Sequence, residues 1–240
     1  MRRFVAILAT TSLLLSVGCG GKSYEVRLGK TLEEMRYRKR LDDNLMPAPT
    51  KGKFNDFQIF VRPPLGLGEP TKEFSMVALE PGKFDVAESF VEPGKLSLYI
   101  LGRVKRPKDP SKKKTVAPVE TATRLDFNTD VFQILNSVYG VEVDAAKAKS
   151  ESKRLNTFKH VTFESNGKNV QVYLNGNKSA VYEVALIFEY PKTEQASLVS
   201  KIDLALGSFA TGERARRAFA GSVVEEESGE GATPGAPAVF

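Results

Sequence analysis

The stretch from residue 157 to residue 190 constrains the fold more than any other part of this chain. Two turn signals, Asn166-Gly167 and Asn175-Gly176-Asn177, separate three runs with alternating apolar and polar residues at 157–164, 169–175 and 179–190. Asn-Gly favours the tight turns that join antiparallel strands. The third run carries apolar residues on both faces, as a strand covered on both sides does. The pattern predicts a three-stranded antiparallel meander with its third strand at the centre of the sheet.

A helix that covers this sheet is predicted directly after it. Pro191 ends the last strand, a helix follows from about residue 194 to residue 210, and Gly212 stops it. The apolar residues of this helix fall on one stripe of the helical wheel, as they do in a helix that lies on a sheet. The stripe consists of Leu198, Val199, Ile202, Ala205, Leu206 and Phe209.

Residues 155–212 resemble the PsbP-like α+β sandwich, a fold that recurs among bacterial lipoproteins. The resemblance rests on the order of the elements and on the apolar strand at residues 182–188. It implies that the domain binds or assembles other molecules. No functional motif is carried over with it, so its bearing on function is by analogy of fold.

Shorter patterns precede this region. Apolar runs or alternations at 24–28, 57–61, 76–79, 84–90 and 96–100 predict strands. Glycine and proline turns separate the last three of these runs. Such short connections indicate an antiparallel meander rather than repeated βαβ units.

Two more helices are predicted. Thr31 and Glu34 form a capping box, which predicts a weakly amphipathic surface helix from about residue 31 to residue 45. A second helix begins at residue 128 or 129 and has a broad apolar face. It ends at Gly140, which supplies a left-handed stop.

The remaining segments complete the predicted organisation. Residues 144–155 have high helix propensity but little apolar surface, which leaves an exposed helix and a mobile connection both open. A basic patch begins at residue 213, and from about residue 221 the chain is rich in Gly, Ala, Pro and Glu, which predicts a disordered tail. The predicted class is α+β: an antiparallel meander sheet covered by one or two amphipathic helices, with a disordered C-terminal tail at the end of 213–240.

The strongest local charge feature lies between residues 103 and 116. Two prolines and the lack of apolar periodicity predict an exposed loop, and a sub-boundary of the domain falls near 105–125. The loop either docks on an anionic lipid, a cell-wall polymer or an acidic protein, or it only solubilises the domain. The candidate docking residues are Arg103, Lys105, Arg106, Lys108, Lys112, Lys113 and Lys114.

Residues 1–18 have the layout of a secretory signal peptide. Arg2 and Arg3 form a positive region, and an almost charge-free apolar run extends from Phe4 to Leu15. This run is shorter than the roughly 20 residues that a membrane-spanning helix needs. Small residues follow it, directly before Cys19, the only cysteine of the chain.

The order Leu15-Ser16-Val17-Gly18-Cys19 resembles the lipobox of bacterial lipoproteins, with Ser16 at the place where leucine is commonest. The resemblance implies cleavage between Gly18 and Cys19, a diacylglycerol on the Cys19 thiol and acylation of the new amino group. In lipoproteins of cells with two membranes, the absence of aspartate after the cysteine favours the outer membrane. The alternative is an ordinary signal followed by a buried cysteine. We predict a lipidated tether at 19–23 and a globular domain at 24–212.

Charge limits the partners. Loss of Arg2 and Arg3 with the signal lowers the formal net charge from +6 to +4. This value is well short of the charge footprint of a nucleic-acid-binding protein. The predicted partners are the membrane, through the lipid on Cys19, and a protein or envelope polymer, with no nucleic acid among them.

The residue inventory limits the chemistry. With His160 as the one histidine and the thiol of Cys19 taken up by the predicted lipid, a Cys/His zinc site, a Cys–His dyad and an HExxH helix are all excluded. His160 lies in a strand pattern, where we expect it to be half-exposed. No catalytic residue, metal ligand or cofactor is predicted. The favoured function is a membrane-anchored envelope lipoprotein that serves as a non-enzymatic binding, scaffold or assembly factor; the alternative is a lipid-anchored small-molecule carrier or hydrolase.

Overall fold

The structure is a computed structural model, and it describes residues 21–71, 82–105, 125–143, 147–176 and 180–219. Its internal contacts divide the chain into two units, with the division after Asp43. The described residues of the first unit all belong to helix α1 (Gly21–Asn44), whose last residue, Asn44, is the first residue of the second unit. Within the described residues, no helix is both long enough and apolar enough to cross a bilayer.

α1 begins earlier than predicted. The segment 24–28, predicted as a strand, and the last residues of the predicted tether at 19–23 are helical. Residues 25–41 consist largely of Glu, Arg, Lys, Leu and Met, which have high helix propensity. Over this length their preference for a helix is stronger than the preference for a strand that the alternation of three apolar residues at 24–28 indicates. Thr31 therefore lies inside the helix instead of capping it. Its hydroxyl donates a hydrogen bond to the carbonyl of Arg27, one turn earlier, at 3.0 Å.

The second unit is an α+β domain, as predicted, built on one antiparallel sheet. Its helices include α2, α3 and α4, and a 3-10 turn at Lys192–Glu194 leads into the last of these three. Residues 213–219, predicted as part of a basic patch, are helical. The bounds are α2 (Lys53–Phe57), β1 (Ile59–Phe60), β2 (Val86–Glu92), β3 (Leu96–Val104), α3 (Phe127–Tyr139), β4 (Lys149–Lys153), β5 (Asn156–Ser165), β6 (Lys168–Asn175), β7 (Tyr182–Pro191), α4 (Gln195–Ser208) and β8 (Ala210–Thr211).

The main sheet has six strands in the order β2-β3-β7-β6-β5-β4, all antiparallel to their neighbours. The predicted meander is confirmed as β5, β6 and β7, and β7 is central because it pairs with both β6 and β3. The pairing of β3 with β7, in which Leu98 faces Phe188, joins the hairpin β2–β3 to the meander. A separate two-stranded ribbon pairs β1 with β8.

α3 covers one face of the sheet. Its residues Val131 and Leu135 belong to the same buried cluster as Leu101, Ile187 and Val172, which share that face by register. The predicted stop is confirmed: Gly140 adopts φ 63°, and its N–H donates to the carbonyl of Asn136. The sign of φ is the reason for glycine here, because a side chain is strained in this conformation.

The other face is covered by α4 and by the segment from α2 to β1. Phe158 packs against Phe209, which follows α4, and their ring centres are 5.7 Å apart. At the opposite end of the sheet, Ile59 lies over Gly102 of β3. A Cβ at Gly102 would come within 2.7 Å of the Ile59 side chain, so this strand position needs glycine for close packing.

Several predicted boundaries change. Residues 144–155 contain strand β4, because β5 supplies hydrogen-bonding partners that helix propensity does not take into account. The predicted strand at 57–61 shrinks to β1, since Phe57 ends α2 and Gln58 takes a left-handed conformation with φ 54°. The segment 76–79 and the tail from residue 221 lie outside the described residues.

The packing of α4 on the sheet can be tested with Leu206, which is fully buried. Leu206→Ala is expected to lower the free energy of unfolding by about 2–5 kcal/mol, because it leaves a cavity between helix and sheet. The measurement is urea unfolding followed by circular dichroism. Val199→Ala on the same helix is the control, since Val199 is exposed although the sequence placed it in the apolar stripe. Equal losses for the two variants would contradict this packing.

Candidate functional site

The structure describes two of the seven candidate docking residues. Lys105 is exposed after β3, and its ammonium lies 3.0 Å from the carboxylate of Glu183. Arg103 lies within β3 and is buried. The other five, together with Gly18 and Cys19, lie outside the described residues, so their roles stay predictions. The five docking residues are Arg106, Lys108, Lys112, Lys113 and Lys114.

The assignment of Arg103 to an exposed loop is wrong. Its guanidinium donates a 2.7 Å hydrogen bond to Asp130 of α3 and further bonds to the carbonyls of Lys83 and Leu125. Strand alternation is the cause, because β3 continues to Val104 and places Arg103 on the face that α3 covers. A charge at this place must be paired, since water no longer solvates it.

Lys83 completes a buried charge cluster with Arg103 and Asp130. The Lys83 ammonium lies 3.2 Å from the second carboxylate oxygen of Asp130, an ion-pair distance. The rings of Phe84 and Phe127 flank the guanidinium, at 5.6 and 5.5 Å from its central carbon. Asp130 sits in the first turn of α3, where the helix dipole also favours a negative charge. The cluster therefore ties three segments together: the residues before β2, the end of β3 and the start of α3.

Removing the charge of Asp130 is expected to be costly. Asp130→Asn leaves two buried cations without a counter-charge, and should lower the free energy of unfolding by about 3–5 kcal/mol. Asp126→Asn is a matched control, because Asp126 is the N-cap of the same helix and its side chain makes no capping hydrogen bond. Urea unfolding of both variants measures the difference. A loss for Asp130→Asn no greater than that for Asp126→Asn would contradict the claim that the two buried cations need the Asp130 carboxylate as their counter-charge.

A second polar cluster surrounds His160 on the face that α4 covers. The imidazole of His160 stacks on Tyr173 of the neighbouring strand, with ring centres 4.3 Å apart and planes 5° from parallel. Its Nδ1 lies 3.0 Å from a carboxylate oxygen of Glu151, and its Nε2 lies 2.9 Å from the hydroxyl of Thr162. As predicted, His160 is a partly exposed strand residue.

The same cluster fastens the edge strand β4 to helix α4. The ammonium of Lys153 lies 2.7 Å from Glu151 and 2.7 Å from Asp203 of α4. Burial lowers the pKa of His160, while the nearby carboxylate of Glu151 opposes that shift. A neutral imidazole whose Nδ1–H donates to Glu151 and whose Nε2 accepts from Thr162 fits both contacts. Both ring nitrogens are therefore engaged within the fold.

The pKa of His160 gives a prediction that a single-histidine protein makes easy to test. The folded pKa lies below the ordinary histidine value of 6.5, so the unfolded chain takes up the proton more readily. The contribution of His160 to stability should be present above about pH 6.5 and be lost as the pH falls through the folded pKa. Proton NMR of the one imidazole should show a midpoint below 6.5, and Glu151→Gln should lower it further. A midpoint above the ordinary value would contradict this arrangement.

A third cluster lies at the end of α3. Glu189 of β7 is buried, and it accepts a hydrogen bond from the hydroxyl of Tyr139 and pairs with the ammonium of Lys168. Burial and the neighbouring Glu189 carboxylate raise the pKa of Tyr139. The phenol therefore stays protonated and continues to donate its hydrogen bond. This contact holds the C-terminal end of α3 to the central strand.

A metal site would need several His, Cys, Asp or Glu side chains close together among the described residues. Within them, no three His, Cys, Asp or Glu side chains come together as a metal site would require. The side chains that sequence reasoning did not single out, such as Asp130 and Glu189, are found only through strand register and helix packing.

No protein-family model and no curated protein matches this chain. Among solved structures, the chain is similar to a protein of Bacteroides thetaiotaomicron with a TM-score of 0.41 and 8% sequence identity, over 70% of this chain and 49% of that one. The chain thus spans about half the length of that protein. It is also similar to the cyanobacterial PsbP, CyanoP, of Synechocystis, with a TM-score of 0.39 and 13% identity over 65% of this chain and 88% of that one. Similarity at this level identifies neither a family nor a function, and the PsbP-like resemblance of residues 155–212 stays a prediction.

Proposed function

We propose that this protein is a lipid-anchored protein of a bacterial cell envelope, and that its α+β domain acts by binding a protein or an envelope polymer. The observation that carries the proposal is Cys19, the only cysteine of the chain, placed directly after the small residues that end a secretory signal. Lipid transfer requires a thiol nucleophile in an accessible segment. Cys19 supplies it, and cleavage between Gly18 and Cys19 would leave it at the new N-terminus.

The chain that follows Cys19 is compatible with an anchor. α1 starts two residues later and separates Cys19, along the sequence, from the unit that begins at Asn44. A helix of 24 residues is about 36 Å long. Gly20 in place of aspartate favours the outer membrane in a cell that has one.

The charged clusters described in the sheet domain have structural partners within the fold. Asp130 holds two cations, Glu189 holds Tyr139 and Lys168, and His160 uses both ring nitrogens within the fold. Groups engaged in this way fix helices and strands in place. Lys105, the exposed one of the two described docking residues, lies on the surface, where it also pairs with Glu183.

The test is metabolic labelling with radioactive palmitate in a bacterial host that expresses the full chain. The wild-type protein is expected to take up label and to float with membranes on a density gradient. Cys19→Ser should lose the label, because a hydroxyl does not replace the thiol in the transfer. The measurement is autoradiography of the purified protein, together with mass spectrometry of its N-terminal peptide.

A matched control moves the thiol instead of removing it. Cys19→Ser combined with Ser23→Cys keeps one cysteine but places it beyond the small residues that precede Cys19. This variant is expected to stay unlabelled. An unlabelled wild-type protein, cleaved elsewhere and released from the membrane, would overturn the anchor.

A further inference from the structure

We infer that α1 lies along the surface of an anionic bilayer with one apolar stripe facing the lipid, rather than standing away from the membrane as a stalk. The inference rests on the proposed anchor at Cys19, and it adds a second contact with the same membrane. Its occupant is the lipid surface itself. The stripe is defined as Tyr24, Leu28, Leu32 and Met35.

The stripe is exposed along its whole length. Tyr24, Leu28, Leu32 and Met35 have exposed fractions of 64, 44, 44 and 61%. At about 100° per residue, these four side chains fall within about 80° of the helical wheel. They therefore form one apolar strip that runs over three turns of α1. Exposed single apolar residues are common, but a continuous strip on one helix face indicates a surface that another apolar phase covers.

The charges around the stripe fit an anionic surface. Arg27 and Arg36 lie on opposite sides of it on the wheel, and Lys39 follows Met35 by one turn on the same face. Long basic side chains bury their methylene stems while their charged ends reach lipid headgroups. Near an anionic leaflet, each such charge adds to the attraction. Within the run from Arg36 to Arg40, the residues on or beside the stripe are Arg36, Arg38 and Lys39, and these can reach the headgroups. Glu33 lies on the far side of the helix, whereas Glu25 lies beside Leu32 and is outnumbered by the basic residues around the stripe.

The short connection to Cys19 brings the helix to this surface. Gly20 is the only residue between Cys19 and the start of α1. Two residues of extended chain reach no further than about 7 Å. A lipid on Cys19 therefore holds the first turn of α1 at the interface, where Tyr24 begins the stripe. An upright helix would leave the stripe in water, whereas a helix that lies flat places all four side chains against the acyl chains.

The test uses the absence of tryptophan and the presence of one thiol in this chain. The full chain from Cys19 onward is coupled through that thiol to a maleimide lipid, in vesicles of phosphatidylglycerol and brominated phosphatidylcholine. Met35→Trp places a fluorophore on the stripe, and Glu33→Trp places one on the opposite side of the same helix. The fluorescence of the Met35→Trp variant is expected to shift to the blue and to be quenched by bromine several-fold more than that of the Glu33→Trp variant.

Equal quenching of the two variants, or none, would overturn the inference and favour a stalk. Quenching that depends on the amount of protein per vesicle would also overturn it, because the stripe would then be covered by a second copy. Vesicles without phosphatidylglycerol should weaken the difference between the variants. Since the lipid is attached chemically, this result is independent of whether a cell lipidates Cys19, and failure of the proposed anchor would appear separately in the labelling experiment.

Discussion

The carboxylate of Asp130 joins the buried end of β3 to the start of α3. Its pairing with Arg103 and Lys83 takes three charges out of water. This desolvation costs several kcal/mol per ion, and only close, well-oriented contacts between the charges offset it. The cost is offset by the 2.7 Å hydrogen bond from Arg103 to Asp130 and by the two backbone carbonyls that also accept hydrogen bonds from Arg103. Because these contacts are directional, they fix where α3 begins over the sheet. The apolar residues of α3 then pack at a position that hydrophobic contact alone would leave less defined.

Local patterns were sufficient for the elements that lie close together in the chain. The meander β5–β7, helix α3 with Gly140 and helix α4 follow from a period of two or 3.6 residues and from turn residues between them. The pairing of β3 with β7 could not be predicted in the same way, since Leu98 and Phe188 are far apart in the chain and nothing in either strand specifies its neighbour. Strand β4 was not predicted, because its residues are polar and its extended conformation is stabilised by pairing with β5.

The candidate site shows the same division. The predictions for Cys19 and for the basic docking set rest on signals that are contiguous in the sequence, and they stay predictions. Arg103 was assigned to the wrong environment because it opens a run of basic residues, although the alternation of β3 extends through it. The partial exposure of His160 followed from its strand pattern. Its stacking on Tyr173 depends on the register of β5 with β6, which places the two residues opposite each other and which no local pattern contains.

The edge strand β4 has a further property in its order of residues, Lys-Ser-Glu-Ser-Lys, which reads the same in both directions. In the sheet as described, β4 is the last strand on its side. Were two copies to join there as antiparallel neighbours centred on Glu151, each Lys149 would oppose a Lys153 and the two Glu151 carboxylates would oppose each other. Like charges in directly opposed positions are destabilising. The palindrome thus disfavours self-addition of β4 in this centred register, which is one of the ways in which an exposed sheet edge can pair with a second copy.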